Sequence, residues 1–302
     1  EILKENKVNE ISQVVAHPVK KNAAAQAIDQ AAIAKKQEID LIEDATIEEK
    51  EVAKAKVDKI VTEAKNNINQ ATTNSSVDDA QNEGITAINA VIPEVVKKSD
   101  ARDTIDEVAR IKKAAIDQTP DATVEEKEAA IAKIDQEVTK AKEQIHQALK
   151  NENVDTAKTN GTNFINAIQP EITKKMKARE TIDEVARAKK EAIDRTLDAT
   201  TEEKEAAKAK VDQAVTEAKA HINEAINNSG VDEAKTNGTT TINAIQPEVI
   251  KKSEARQAID DAARVKKEAI DQTPDATTEE KEAAKAKVDQ AVTEAKAHIN
   301  EA

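Results

Sequence analysis

The string Asp-Ala-Thr-x-Glu-Glu-Lys begins at Asp44, Asp121, Asp198 and Asp275, each start 77 residues after the one before. Ile28-Asp29, Ile105-Asp106, Ile182-Asp183 and Ile259-Asp260 keep the same step, as do Gly84, Gly161 and Gly238, and Pro93, Pro170 and Pro247. Residues 201–225 recur letter for letter as 278–302. A fixed period of this length means that one supersecondary unit is stacked along the chain, and no unrelated domain fits between the copies.

Each unit reads as three helical segments. Segment A runs from about Pro93 to Asp117, with Ala101, Ile105, Val108, Ile111 and Ala115 returning at helical steps. Pro93 suits a first helical turn, where its missing N–H is not needed. Segment B, about Thr123 to Ala148, opens on Thr123-x-x-Glu126, and the pair recurs as Thr46/Glu49, Thr200/Glu203 and Thr277/Glu280. That is a capping box, in which each side chain satisfies the other residue's orphan backbone N–H. Its stripe in the third copy is Ala207, Val211, Ala214, Ala218, Ile222 and Ala225. Segment C, Val231 to Ile245, carries Val231, Ala234, Gly238, Ile242 and Ile245. A glycine on that apolar stripe points to another backbone passing close by; the rival reading is that Asn237-Gly238 ends the helix in a turn. No stretch alternates apolar and polar residues between hairpin signals, so strands are not expected.

The expected fold is all-α: a tandem array of four three-helix-bundle repeats of 77 residues, forming an elongated rod. The linkers leave the phase open. Asp-Gln-Thr-Pro-Asp-Ala-Thr (117–123) separates A from B and a polar break separates B from C, whereas C and A are joined by only Ile168-Gln169-Pro170-Glu171. So short a junction is either a tight corner or one helix kinked at proline. Bundles in the order C-A-B fit the chain ends and give repeats at 1–75, 76–152, 153–229 and 230–302; the order A-B-C fits the loop lengths. The first repeat has a divergent start, with Lys7 in the glycine register and His17-Pro18 shifted.

Composition narrows function more than it narrows fold. With 46 Lys+Arg against 59 Asp+Glu the net charge is −13, which lacks the basic footprint of a polyanion binder. One Phe and no Trp or Tyr leave no aromatic platform for stacking bases, and the absence of Cys excludes disulfides and thiolate metal sites. No apolar run is long enough to span a membrane, and the first twenty residues hold no signal-peptide apolar core. Cores built from Ala, Val and Ile are thin, so neighbouring units are expected to share stability.

The 77-residue step, Ile-Asp-Glu-Val-Ala-Arg (182–187), Asp-Ala-Thr-Thr-Glu-Glu-Lys (198–204) and Ala-Lys-Thr-Asn-Gly-Thr (157–162) together carry a resemblance. The chain resembles, over its whole length, the helical repeats of unassigned function in large staphylococcal cell-wall-anchored surface proteins. These are of the surface protein C, methicillin-resistance-associated surface protein and giant extracellular matrix-binding protein type. The resemblance implies an extracellular stalk, anchored to the cell wall through regions outside this sequence and linked to adhesion and biofilm accumulation. It transfers no catalytic or ligand-binding residue.

The residues themselves point the same way, with no catalytic, cofactor-binding or metal site expected. His17, His146, His221 and His298 have no second His at i+3 or i+4, and the last three suit a helix C-terminus. Glu202-Glu203 suits the positive end of helix B, and the pairs Lys97-Lys98, Lys174-Lys175 and Lys251-Lys252 read as a solvated face. Phe164 stands where other copies have Ala87 and Thr241, which reads as local packing. Asn160-Gly161-Thr162 and Asn237-Gly238-Thr239 match a glycosylation acceptor pattern that says nothing in a bacterial protein. The leading functional expectation is a non-catalytic spacer. The alternatives are a repeated binding module for a host matrix or plasma protein such as fibronectin, albumin or immunoglobulin, and self-association between rods, which like charge opposes unless salt screens it.

Overall fold

The computed structural model describes residues 1–302 as twelve helices without strands. Segment A becomes α2 (Val19–Asp40), α5 (Lys97–Asp117), α8 (Lys174–Asp194) and α11 (Lys251–Asp271). Segment B becomes α3 (Ile47–Gln70), α6 (Val124–Gln147), α9 (Thr201–Glu224) and α12 (Thr278–Glu301), and segment C becomes α4 (Asn74–Asn89), α7 (Asn151–Ala167) and α10 (Asn228–Ala244). A further helix, α1 (Ile2–Ser12), buries no residue. The chain forms two compact units, Glu1–Asp117 with Ile131–Gln169, and Gln118–Ala130 with Pro170–Ala302.

Packing selects the A-B-C order. In the first unit α2, α3 and α4 close around Ile28, Ile39, Val57, Ile68, Val77 and Ile88. In the second, α8, α9 and α10 close around Ile182, Ile193, Val211, Ile222, Val231 and Ile242. Boundaries at 75/76, 152/153 and 229/230 therefore cut the third helix of each bundle away from the first two. The reason is local: α4, α7 and α10 follow helix B after a short polar break and fold back on it, while an extended link leads on to the next A.

That link is neither a tight corner nor a kinked helix. Helix α7 ends at Ala167 and α8 begins at Lys174, with Pro170 in the non-helical stretch between. Pro93 likewise precedes α5 by four residues rather than opening it. A proline pushes the residue before it to extended backbone, which ends helix C early.

The glycines of segment C sit inside continuous helix. A Cβ on Gly84, Gly161 or Gly238 would stand 2.6, 2.5 or 2.5 Å from the Cβ of Ala64, Ala141 or Ala218. It would also lie 2.7–3.0 Å from Cδ1 of Ile28, Ile105 or Ile182. Helix C thus approaches helix B backbone to backbone, which only glycine permits.

The stripe of segment A departs from its sequence reading. Ala101, Ile105, Ala109 and Ile116 are buried, whereas Ile111 is 54% exposed and Ala115 faces solvent. The inward register runs 101, 105, 109, 112, 116 and passes through a lysine, whose aliphatic stem covers the core while its ammonium reaches water. Lys35, the α2 counterpart, is 11% exposed over its side chain. On the outer faces, Lys36–Asp58, Lys113–Asp135 and Lys190–Asp212 recur at 2.5 Å between helices A and B. Such exposed pairs contribute little each.

Candidate functional site: the joint between repeats

The most elaborate polar constellation is the joint where one repeat meets the next, and it starts from the capping box. Thr46 caps α3 by accepting from the Glu49 N–H, and the Glu49 Oε2 accepts in return from the Thr46 N–H at 2.9 Å. The second carboxylate oxygen, Oε1, accepts from the backbone N–H groups of Val96 and Lys97, both at 2.9 Å. One carboxylate therefore caps two helices, α3 in its own repeat and α5 in the next. Thr46 Oγ1 also donates to Asn151 Oδ1 at 2.8 Å, and the Ile47 N–H donates to the Leu149 carbonyl.

The second unit repeats the arrangement with the same atoms. Glu126 accepts from Thr123, Thr173 and Lys174 at 2.8–2.9 Å, and Thr123 Oγ1 donates to Asn228 Oδ1. Glu203 accepts from Thr200, Ile250 and Lys251 at 2.8–3.0 Å. The electrostatics follow. Burial pushes the Glu49 carboxyl up, but the N–H bonds from Thr46, Lys97 and Val96 outweigh it and hold it below the usual range. At Glu203 the Lys251, Thr200 and Ile250 N–H groups bring it to about 2.

The lysine pairs close the joint from the other side, and here the solvated-face reading is overturned. Lys97 and Lys174 do reach carboxylates, Asp155 at 2.8 Å and Asp232 at 2.6 Å. The second lysine of each pair turns inward: Lys98 is 1% exposed and donates to the carbonyls of His146 at 2.7 Å and Glu43 at 3.2 Å. Lys175 and Lys252 are also buried, donating to the carbonyls of Asn223 and Asn300. Lys21 donates to the equivalent carbonyl, that of Asn69, but has no A–B loop over it and stays half-buried. Burial is what lowers the Lys98 ammonium below its ordinary range. Beside it, Arg102 holds Asp44 in a two-pronged pair at 2.6 and 3.1 Å; the counterparts Arg179–Asp121 and Arg256–Asp198 make single contacts at 3.4 and 2.9 Å and also reach the carboxamides of Asn223 and Asn300. A sequence signal existed: Lys98 lies three residues before Ala101 and seven before Ile105, in the buried register. The second role of Glu49 left none, because its two distant partners are backbone groups.

Among the remaining candidates His146 belongs to the joint, its carbonyl accepting from Lys98 and its Nδ1 3.6 Å from Asp44, and the others lie apart from it. His146, His221 and His298 occupy the last turns of α6, α9 and α12. His221 lines a shallow groove between α9 and α10 with Glu217, Glu224 and Glu233, and its Nδ1 is 3.7 Å from Glu224. His17 precedes α2 in the exposed start of the chain. Phe164 is 56% exposed on α7, with the Lys140 ammonium 5.4 Å from its ring centre. No helix is long and apolar enough to cross a membrane.

A domain family described as a domain of unknown function, DUF1542, matches residues 20–96, 97–173, 174–250 and 251–302. The chain belongs to the DUF1542 family. The matched segments begin at the first or second residue of helix A, in the order the packing gives. Over 284 residues, or 93% of the chain, this DUF1542 array is 30% identical to the extracellular matrix-binding protein EbhA of Staphylococcus aureus strain Mu3. It is 30% identical to Ebh of strain JH9 and 29% identical to EbhA of strain Newman over the same share. The array spans only 3–8% of the length of these relatives. A crystal structure of EbhA residues 756–1003 from Staphylococcus aureus aligns with 93% of this chain and 98% of its own, at 20% identity and a TM-score of 0.25.

Proposed function

We propose that this DUF1542 array is a non-catalytic stalk of a bacterial surface protein, holding a binding region away from the cell wall to which other parts of the parent protein attach it. The observation that supports this most directly is the repeated joint. A spacer needs each repeat to be fixed on the next, and the Glu49, Glu126 and Glu203 carboxylates each tie two consecutive repeats through three backbone N–H groups. The near-identity of successive copies supports it too, since length then changes by duplication without rebuilding the joint. An extracellular location, with a part in adhesion and biofilm accumulation, accords with relatives named for binding extracellular matrix.

Small-angle X-ray scattering on the whole chain and on residues 20–173 tests the reading. A maximum dimension growing nearly linearly with repeat number supports a stalk, whereas one that barely grows overturns it. The relatives' name favours one other reading, that each bundle itself binds a host matrix or plasma protein. Saturable binding to immobilised matrix proteins that strengthens with repeat number through avidity would establish that reading.

A further inference from the structure

One position differs between otherwise matching joints, and there it carries a titratable ring. His146, Asn223 and Asn300 stand 77 residues apart, and their carbonyls accept from the buried Lys98, Lys175 and Lys252. The two asparagines also offer a carboxamide oxygen, which accepts from Arg179 or Arg256. At His146 an imidazole replaces the carboxamide, and Arg102 turns two nitrogens onto Asp44 instead. The His146 Nδ1 stands 3.6 Å from Asp44 Oδ1, too far for a hydrogen bond but close for a charge.

The other charges of the joint come from each element around the ring. The loop before α3 brings Glu43 beside Asp44, and α5 brings Lys98 and Arg102. Both cations are already committed, Lys98 to two carbonyls and Arg102 to Asp44. The start of α3 adds Glu48 and Glu49, which accept backbone N–H groups, and Lys50, which donates to the Asp40 carbonyl. On α6 itself Lys142 is paired with Asp106, and Glu143 lies one turn before His146. Lys150 and Glu152 follow, exposed, and Asp155 of α7 is paired with Lys97.

We propose that the joint between the first and second repeats is acid-responsive: a proton on His146 sets a second cation against Asp44 and tightens the docking of the loop before α3 onto α5 and α6. The joints built on Asn223 and Asn300 lack the response, because a carboxamide does not titrate. Asp44 and the last-turn carbonyls of α6 favour the added charge, and the committed Arg102 and Lys98 oppose it less. His146 and Asp44 are half-exposed, so solvent keeps the effect modest.

Two amides report on docking. The Ile47 N–H donates to the Leu149 carbonyl of the next repeat at 2.9 Å, and Val124 makes the same bond to Ile226 at the following joint. The test measures amide exchange of the whole chain, normalised for intrinsic rates, between about pH 7.5 and 5.5, where histidine changes charge. Expected is an Ile47-to-Val124 protection ratio that rises about two- to fivefold on acidification. His146→Asn, which installs the residue of the other joints, should abolish the rise. Asp44→Asn, which keeps an oxygen but removes the charge, should abolish it too. A ratio that stays flat or falls, or a rise that survives either substitution, overturns the proposal.

Discussion

The Glu49 carboxylate lies 2.9 Å from the backbone nitrogen of Lys97, at the first turn of a helix in the following repeat. The same side chain completes the capping box of its own helix, so replacing it leaves three N–H groups without an acceptor. Glu49→Ala should destabilise the joint by about 1–3 kcal/mol, the range for a lost cap together with orphaned donors. Hydrogen exchange at Val96 and Lys97 is the direct readout. Faster exchange there with α2 still protected is the expected result; unchanged exchange would mean that water replaces the carboxylate at no cost.

Acid should loosen the joint in a defined window. The Glu203 carboxyl sits at about 2 in the folded chain against 4.5 ordinarily, so its folded value is depressed. Its contribution is then complete above about pH 4.5 and is lost as pH falls through about 2, because the unfolded state takes up the proton first. Amide exchange at Ile250 and Lys251, normalised for intrinsic rates, should rise relative to core amides of α9 across that window. A flat ratio would show that the carboxylate contributes nothing there.

Two glycines should respond to alanine with opposite signs. Gly161→Ala places a Cβ 2.5 Å from Ala141 Cβ and 2.9 Å from Ile105 Cδ1, inside a close-packed seam. Overpacking of about 1–3 kcal/mol then exceeds the helix-propensity gain of about 1 kcal/mol. At Gly230, in the first turn of α10, the nearest atom is the Asn227 carboxamide oxygen at 3.1 Å, the end of a side chain that can shift. Gly230→Ala should therefore be neutral or stabilising. Urea unfolding of the two variants decides it, and equal effects would refute the close-approach explanation.

What the sequence discloses depends on whether an interaction is local. Period, helix types and capping boxes are legible because each rests on residues within a turn or two, and Thr46 with Glu49 is such a pair. The glycine register was legible as a close approach, but its contact Ala141 lies on another helix. Bundle phase was not legible, since it depends on whether α4 packs on α3 or on α5, and those faces have the same composition. Lys98 was misread because a lysine counts as polar in any periodicity, although its stem follows the apolar register. The joint stayed hidden for a further reason: its acceptors and donors are largely backbone groups, which carry no residue identity.

The last expectation compares one substitution in two copies. Ile182 is fully buried beneath α10, whereas Ile259, its counterpart 77 residues on, is half-buried on the α11–α12 pair. Ile182→Ala removes packed atoms from a closed core and should cost about 2–5 kcal/mol, while Ile259→Ala forfeits less because its site is open to water and leaves no sealed cavity. A linear array unfolds by neighbouring units rather than in one transition, so a single melting temperature would blur the difference. Residue-resolved exchange separates it: amides of α9 in Ile182→Ala should lose more protection than those of α12 in Ile259→Ala. Equal losses would mean that α11 and α12 pack as tightly alone as α8 and α9 do beneath α10.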